Sequence, residues 1–155
     1  MMGQSRGSFQ NVCTPPANLT GQTINVTVSD MGMMSMMGTS RGMSMMLSAF
    51  PSTIVAGKVN IVVTNLGRRV HELVILPLAN GQSAGQRLIG SDGKIDEAES
   101  LGEASNNCGA GTGEGVETGS RTWTTVTLSP GRYEFVCNIA NHYAAGMYQE
   151  VTVSF

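Results

Sequence analysis

The chain has 155 residues, of which 13% are charged and 41% hydrophobic, and its formal net charge is −2. That length suits one domain with a substantial core and excludes large multilobed enzymes. Nine basic residues against eleven acidic ones argue against the clustered positive footprint that nucleic acid demands.

Met1–Gln10 lacks the apolar core of a signal peptide. Gln22–Ser29 alternates Ile24, Val26 and Val28 with polar residues, which predicts a half-buried strand. Asp30–Met46 holds eight of the eleven methionines. Its spacing is not helical, and its glycines argue for a loop or an irregular edge strand; Met43–Ala49 reads as a further strand. The stretch Gly42–Ala56 is uncharged but broken by serines and Pro51, too short and too polar for a membrane span. Val59–Asn65 and Val70–Leu78 are β-branched and apolar, hence strands.

A glycine-rich insertion then runs from about Asn80 to Ser120, and Asp96–Glu103 within it is the one helix expected. Residues 1–91 carry two acidic residues, whereas seven of the eleven lie between Asp92 and Glu117. That acidic stretch reads as a solvated loop or as a docking surface. Arg121–Leu128, Arg132–Cys137 and Tyr148–Phe155 complete the strands, with a tight turn at Pro130-Gly131. Seven or eight short strands with Gly and Pro punctuation predict an all-β sandwich or barrel in a single domain spanning 1–155.

The chemistry concentrates near the C-terminus. Cys137, His142 and Met147 follow one another at intervals of five in a single loop between two strands. Thiolate and thioether donors favour copper, and imidazole suits both of its oxidation states. A trigonal His₂Cys set with a weak axial Met is the blue-copper arrangement. One more histidine is needed and the sequence holds one, His71, at the start of the strand Val70–Leu78. Taken singly, a histidine in an apolar strand such as His71 is often a satisfied core residue, and what lifts it is that the chain has no other histidine to complete the set. A dinuclear copper site needs two cysteines in the ligand loop, and Asn138–Gly146 has none.

The C-x4-H-x4-M loop and its lead-in, Leu128-Ser-Pro-Gly-Arg-Tyr-Glu-Phe-Val-Cys137, resemble the copper loop of the cupredoxins, the small blue copper proteins. Within that family the spacing is similar to that of sulfocyanin-like and rusticyanin-like proteins, and Pro51–Leu78 resembles the segment leading into the first histidine ligand. The resemblance implies a Greek-key β-sandwich and one type 1 copper ion held by His71, Cys137, His142 and Met147. It implies a backbone N–H of Glu72 or Asn138 on the Cys137 sulfur. An electron port at the edge of His142 is also implied, ringed by a docking patch of Ala144, Ala145 and Met147. The expected function is one-electron transport between redox proteins such as a cytochrome or a terminal oxidase, not catalysis. A monomer outside the cytoplasm is expected, with any anchor carried by a longer precursor.

Two cysteines are left over. Cys13 and Cys108 read either as a disulfide across 94 intervening residues or as two free buried thiols. Met33, Met34, Met36, Met37, Met43, Met45 and Met46 raise a second function, Cu(I) capture for copper trafficking. The plainer reading is adaptable apolar filling. With both histidines committed, no Ser/His/Asp set remains, and hydrolysis has no support.

Overall fold

The computed structural model describes residues 20–30, 45–104 and 115–155. Among the described residues nine strands form, in chain order β1 (Gln22–Ser29), β2 (Met46–Phe50), β3 (Thr53–Val55), β4 (Gly57–Asn65), β5 (Leu73–Leu78), β6 (Gly102–Ala104), β7 (Arg121–Leu128), β8 (Gly131–Val136) and β9 (Tyr148–Ser154). They make two sheets, ordered β2-β1-β4-β7 and β3-β9-β8-β5-β6. The all-β sandwich expected from the sequence is therefore the fold. The two strands beyond the seven legible runs are the three-residue β3 and β6.

Alternation builds the first sheet. In β1, Ile24, Val26 and Val28 face inward, and the strand runs parallel to β4 in the register Ile24↔Ile61 and Val26↔Val63. From the second sheet Leu73, Ile75, Tyr133, Phe135, Val151 and Val153 close the same core. Each such side chain contributes about 1.5–3 kcal/mol by leaving water.

β5 does not alternate, because both of its faces are covered. Leu73 and Ile75 enter the main core, while Val74 and Leu76 pack outward with Ile95, Val136 and Tyr143. The cover is the chain between Ala79 and Leu101, laid over the outer face of the second sheet. An ion pair fastens it: Arg87 Nε donates to Glu134 Oε1 at 2.6 Å, and the Glu134 side chain is wholly buried. Gly85 N–H and the Tyr143 hydroxyl donate to Glu134 Oε2, at 2.6 and 2.8 Å.

The helix expected over Asp96–Glu103 does not form. Asp96 Oδ1 takes the N–H of Ala98 in a local turn, which competes with helical bonding. Leu101 N–H then donates to Ile75 O, and Gly102–Ala104 pairs with Leu73–Ile75 as β6. Sheet pairing has overridden a local acidic pattern. Among the described residues no helix is long and apolar enough to cross a membrane.

Candidate metal centre

His71 lies just before β5 and is fixed by a two-way bridge with Val116: His71 N–H donates to Val116 O and Val116 N–H to His71 O, at 3.2 and 2.6 Å. The approach to it is shaped by Asn65 at the end of β4. Its Nδ2 donates to Arg69 O and Val116 O at 2.7 and 2.8 Å, and its Oδ1 accepts from Gly67 N–H at 2.8 Å.

Cys137 follows β8 and Met147 precedes β9. The loop between them is closed by Cys137 N–H on Met147 O at 3.0 Å and Met147 N–H on His142 O at 3.2 Å. Asn141, in the left-handed region at φ 71°, turns the chain into His142. Its N–H donates to Gly93 O at 2.9 Å. Gly93 itself stands at φ +78°, and a Cβ there would come within 2.5 Å of Asn141 Oδ1. The close approach of the two loops needs glycine.

Three ligand atoms meet. His71 Nδ1 is 3.3 Å from His142 Nδ1 and 3.8 Å from Cys137 Sγ, and His142 Nδ1 is 3.4 Å from Cys137 Sγ. The point in their plane equidistant from these three atoms lies about 2.0 Å from each, which matches a metal bond to imidazole nitrogen and is shorter than the about 2.3 Å of a bond to thiolate sulfur, so a metal would sit nearer the two nitrogens. Among the described residues these three form the one cluster of His, Cys, Asp and Glu able to hold a metal. Met147 is wholly buried, and its backbone bonds to both Cys137 and His142, which brings a thioether to the same end of the loop. Two imidazoles, a thiol and a thioether in an apolar shell fit copper and do not fit hard, oxygen-seeking ions.

Electrostatics prepare both histidines as neutral ligands. Burial pushes the pKa of His71 and of His142 down, leaving lone pairs free. Burial pushes the Cys137 thiol up to about 11, against the N–H groups of Glu72 and Ile139, which favour the thiolate. Glu72 N–H donates to Sγ at 3.2 Å, as expected. Asn138, the other expected source, acts with its side chain: Oδ1 accepts from Ile95 N–H at 2.8 Å, and Nδ2 donates to Ile95 O and Glu97 Oε1.

One residue went unnoticed in the sequence. Asp30, just past β1 and 7% exposed, places Oδ1 3.4 Å from His71 Nε2. Burial works to raise its pKa, but the N–H groups of Arg68 and Arg69 and the His71 contact outweigh it and hold the carboxyl below its usual range.

The exposed ring differs from the expected one. Ala144 and Ala145 are exposed, and His142 is 5% exposed. Met147 is fully buried, so it belongs to the metal centre and not to a surface patch. Cys13 and Cys108, with the expected disulfide, lie outside the described residues, as do Met33, Met34, Met36, Met37 and Met43. Met45 packs against the core and Met46 is exposed.

Residues 11–155 match the sulfocyanin (SoxE) domain family. The chain belongs to that family. No curated protein matches it. Among solved structures, dithionite-reduced auracyanin from Roseiflexus castenholzii is 14% identical, covering 88% of this chain and 98% of its own, with a TM-score of 0.56. Auracyanin A, a "blue" copper protein from Chloroflexus aurantiacus, is 14% identical with a TM-score of 0.51, covering 86% of this chain and all of its own. Rusticyanin from Thiobacillus ferrooxidans is 17% identical with a TM-score of 0.51, covering 87% and 79%. At such low identity these likenesses show the shared fold alone. Family and fold together make this sulfocyanin-family chain a cupredoxin, with His71, Cys137, His142 and Met147 positioned to form a type 1 copper site.

Proposed function

We propose that this sulfocyanin-family chain is a mononuclear blue-copper electron carrier. The observation that carries the reading is the convergence of two buried imidazole nitrogens and one buried thiol on a single point. Copper held there supplies a one-electron cycle between Cu(I) and Cu(II). The chain's own contribution is rigidity. His71 is clamped by its bridge to Val116, and the ligand loop is closed by its own hydrogen bonds. A donor set fixed in advance reorganises little when charge changes. The apolar surroundings of Cys137 and Met147 disfavour the more highly charged ion and raise the potential.

His142 is the port. Its ring is the most exposed of the four ligands, and Ala144 and Ala145, two and three residues on, are exposed and uncharged, so that a partner could approach there without displacing charged groups of theirs. The partners are redox proteins such as a cytochrome or a terminal oxidase, and the site of action is outside the cytoplasm. Electron self-exchange tests the port without a named partner. Ala145→Lys places like charges face to face, and is expected to slow self-exchange at least tenfold while the colour stays. An unchanged rate would move the port elsewhere.

Copper trafficking is the second reading. Both anchors of the methionine-rich segment stand at the copper end: Asp30 against His71, and Met46 paired with Ser29. A Cu(I) titration separates the readings. One equivalent bound supports the carrier alone, and further equivalents lost on replacing the methionines with leucine support trafficking.

A further inference from the structure

The ligand His71 has a partner of its own on the side away from the metal centre. Its Nδ1 faces Cys137 and His142, while its Nε2 faces Asp30 Oδ1 at 3.4 Å. His71 is wholly buried, and the Asp30 side chain is 3% exposed. The carboxylate is seated by the backbone, since Arg68 N–H and Arg69 N–H reach Oδ1 at 2.5 and 3.4 Å. The Arg69 guanidinium, about half exposed, stands 4.0 Å from Oδ2 on the solvent side. Gly67 leaves the room: a Cβ there would collide with Asp30 Oδ1 and come within 3.1 Å of His71 Nε2. A cradle built from β1, the 66–71 turn and a required glycine is a dedicated seat for one anion behind one ligand.

We infer that Asp30 is a positioning and potential-setting residue, which accepts the Nε2–H of His71 and places a full negative charge behind that ligand. Three consequences follow from the geometry. The proton is confined to Nε2, so Nδ1 presents its lone pair to the metal. The ring is held in the plane that the carboxylate dictates. The imidazole becomes a stronger donor, which favours the more highly charged Cu(II) over Cu(I) and opposes the upward pull of the apolar shell. The inference rests on the copper-carrier reading, and its tests are arranged to fail separately from it.

The decisive comparison is between the copper-loaded wild type and Asp30→Asn, with Asp92→Asn on an exposed turn as the control for general loss of negative charge. Asp30→Asn keeps an acceptor and removes the charge. Its Cu(II) affinity is expected to fall about tenfold relative to Cu(I), the lower end of the effect of mutating a ligand's hydrogen-bond partner. For one electron that ratio is a rise of about 59 mV in potential. Asp92→Asn is expected to move the potential far less. Equal shifts in the two variants, or no shift in Asp30→Asn, would overturn the proposal. Nitrogen NMR of the copper-free wild type gives a second reading that needs no variant: His71 is expected as the Nε2–H tautomer, and the Nδ1–H tautomer would overturn it. A protein that takes up no copper and shows no colour would instead defeat the carrier reading, leaving the tautomer result to stand by itself.

Discussion

His71 and the loop Cys137–Met147 bring their ligands to one point by different means. His71 is held by polar groups that touch it or its immediate turn: Asp30 on Nε2, Val116 on its backbone, and Asn65 across Gly67, Arg69 and Val116. The ligand loop is supported from one layer further out. Asn141 meets Gly93, Asn138 meets Ile95, and Tyr143 rests on Glu134, which Arg87 neutralises. The first half brings a carboxylate into contact with a ligand. The second sets its buried ion pair, Arg87 with Glu134, one residue further from the ligands. Disturbing the first should therefore change what the copper is, and disturbing the second should change how well the fold survives.

Arg87→Ala is the harshest test of the second half. It leaves a wholly buried carboxylate without its cation, a loss of about 3–5 kcal/mol. The urea midpoint of the copper-free protein is expected to drop accordingly, while the visible band of the loaded protein moves little. A large spectral change with little loss of stability would erase the distinction between the halves. Asn65→Ala tests the first half. Three hydrogen bonds of the turn leading to His71 are lost, costing about 2–3 kcal/mol, and here the spectrum and potential are expected to change too. Stability lost with an unaltered spectrum would show that the turn does not steer His71.

The acidic patch beside β6 gives a smaller, pH-dependent effect. Burial, with Glu72 and Glu97 nearby, pushes the Glu103 carboxyl up to about 7 from 4.5. A carboxyl raised in the folded state binds its proton more tightly there than in the unfolded chain. Stability from this group is thus lost as pH rises from about 4.5 through about 7. Wild type is expected to be more stable at pH 5 than at pH 8 by on the order of 1–2 kcal/mol from this source, and Glu103→Gln to flatten that slope. Identical pH profiles in urea denaturation would contradict the assignment.

The ligands were legible in the sequence because copper chemistry selects residue types rare enough to count. With only two histidines in the chain, His142 in the Cys-His-Met loop left His71 as the sole complement. The strands were legible wherever one face met water, as in β1. β5 reads as an unbroken apolar run since a second layer covers it, and no local pattern reveals that layer. The same cover explains the missed helix: Asp96 and Glu97 resemble a helix start, yet they bond to Ala98 and to Asn138. Asp30 was hidden by distance, 41 residues from His71 in sequence. One signal was present. Residues 1–91 hold two acidic residues, Asp30 and Glu72, and both contact the metal centre, one through its carboxylate and one through its N–H.

The central claim is a thiolate–copper bond at Cys137 supported by both histidines. Titrating the copper-free protein with Cu(II) and following visible absorption tests it most directly. An intense sulfur-to-copper charge-transfer band should grow to an end point of one equivalent and vanish in Cys137→Ser. A protein that stays colourless with Cu(II), or a band that survives in Cys137→Ser, would contradict it.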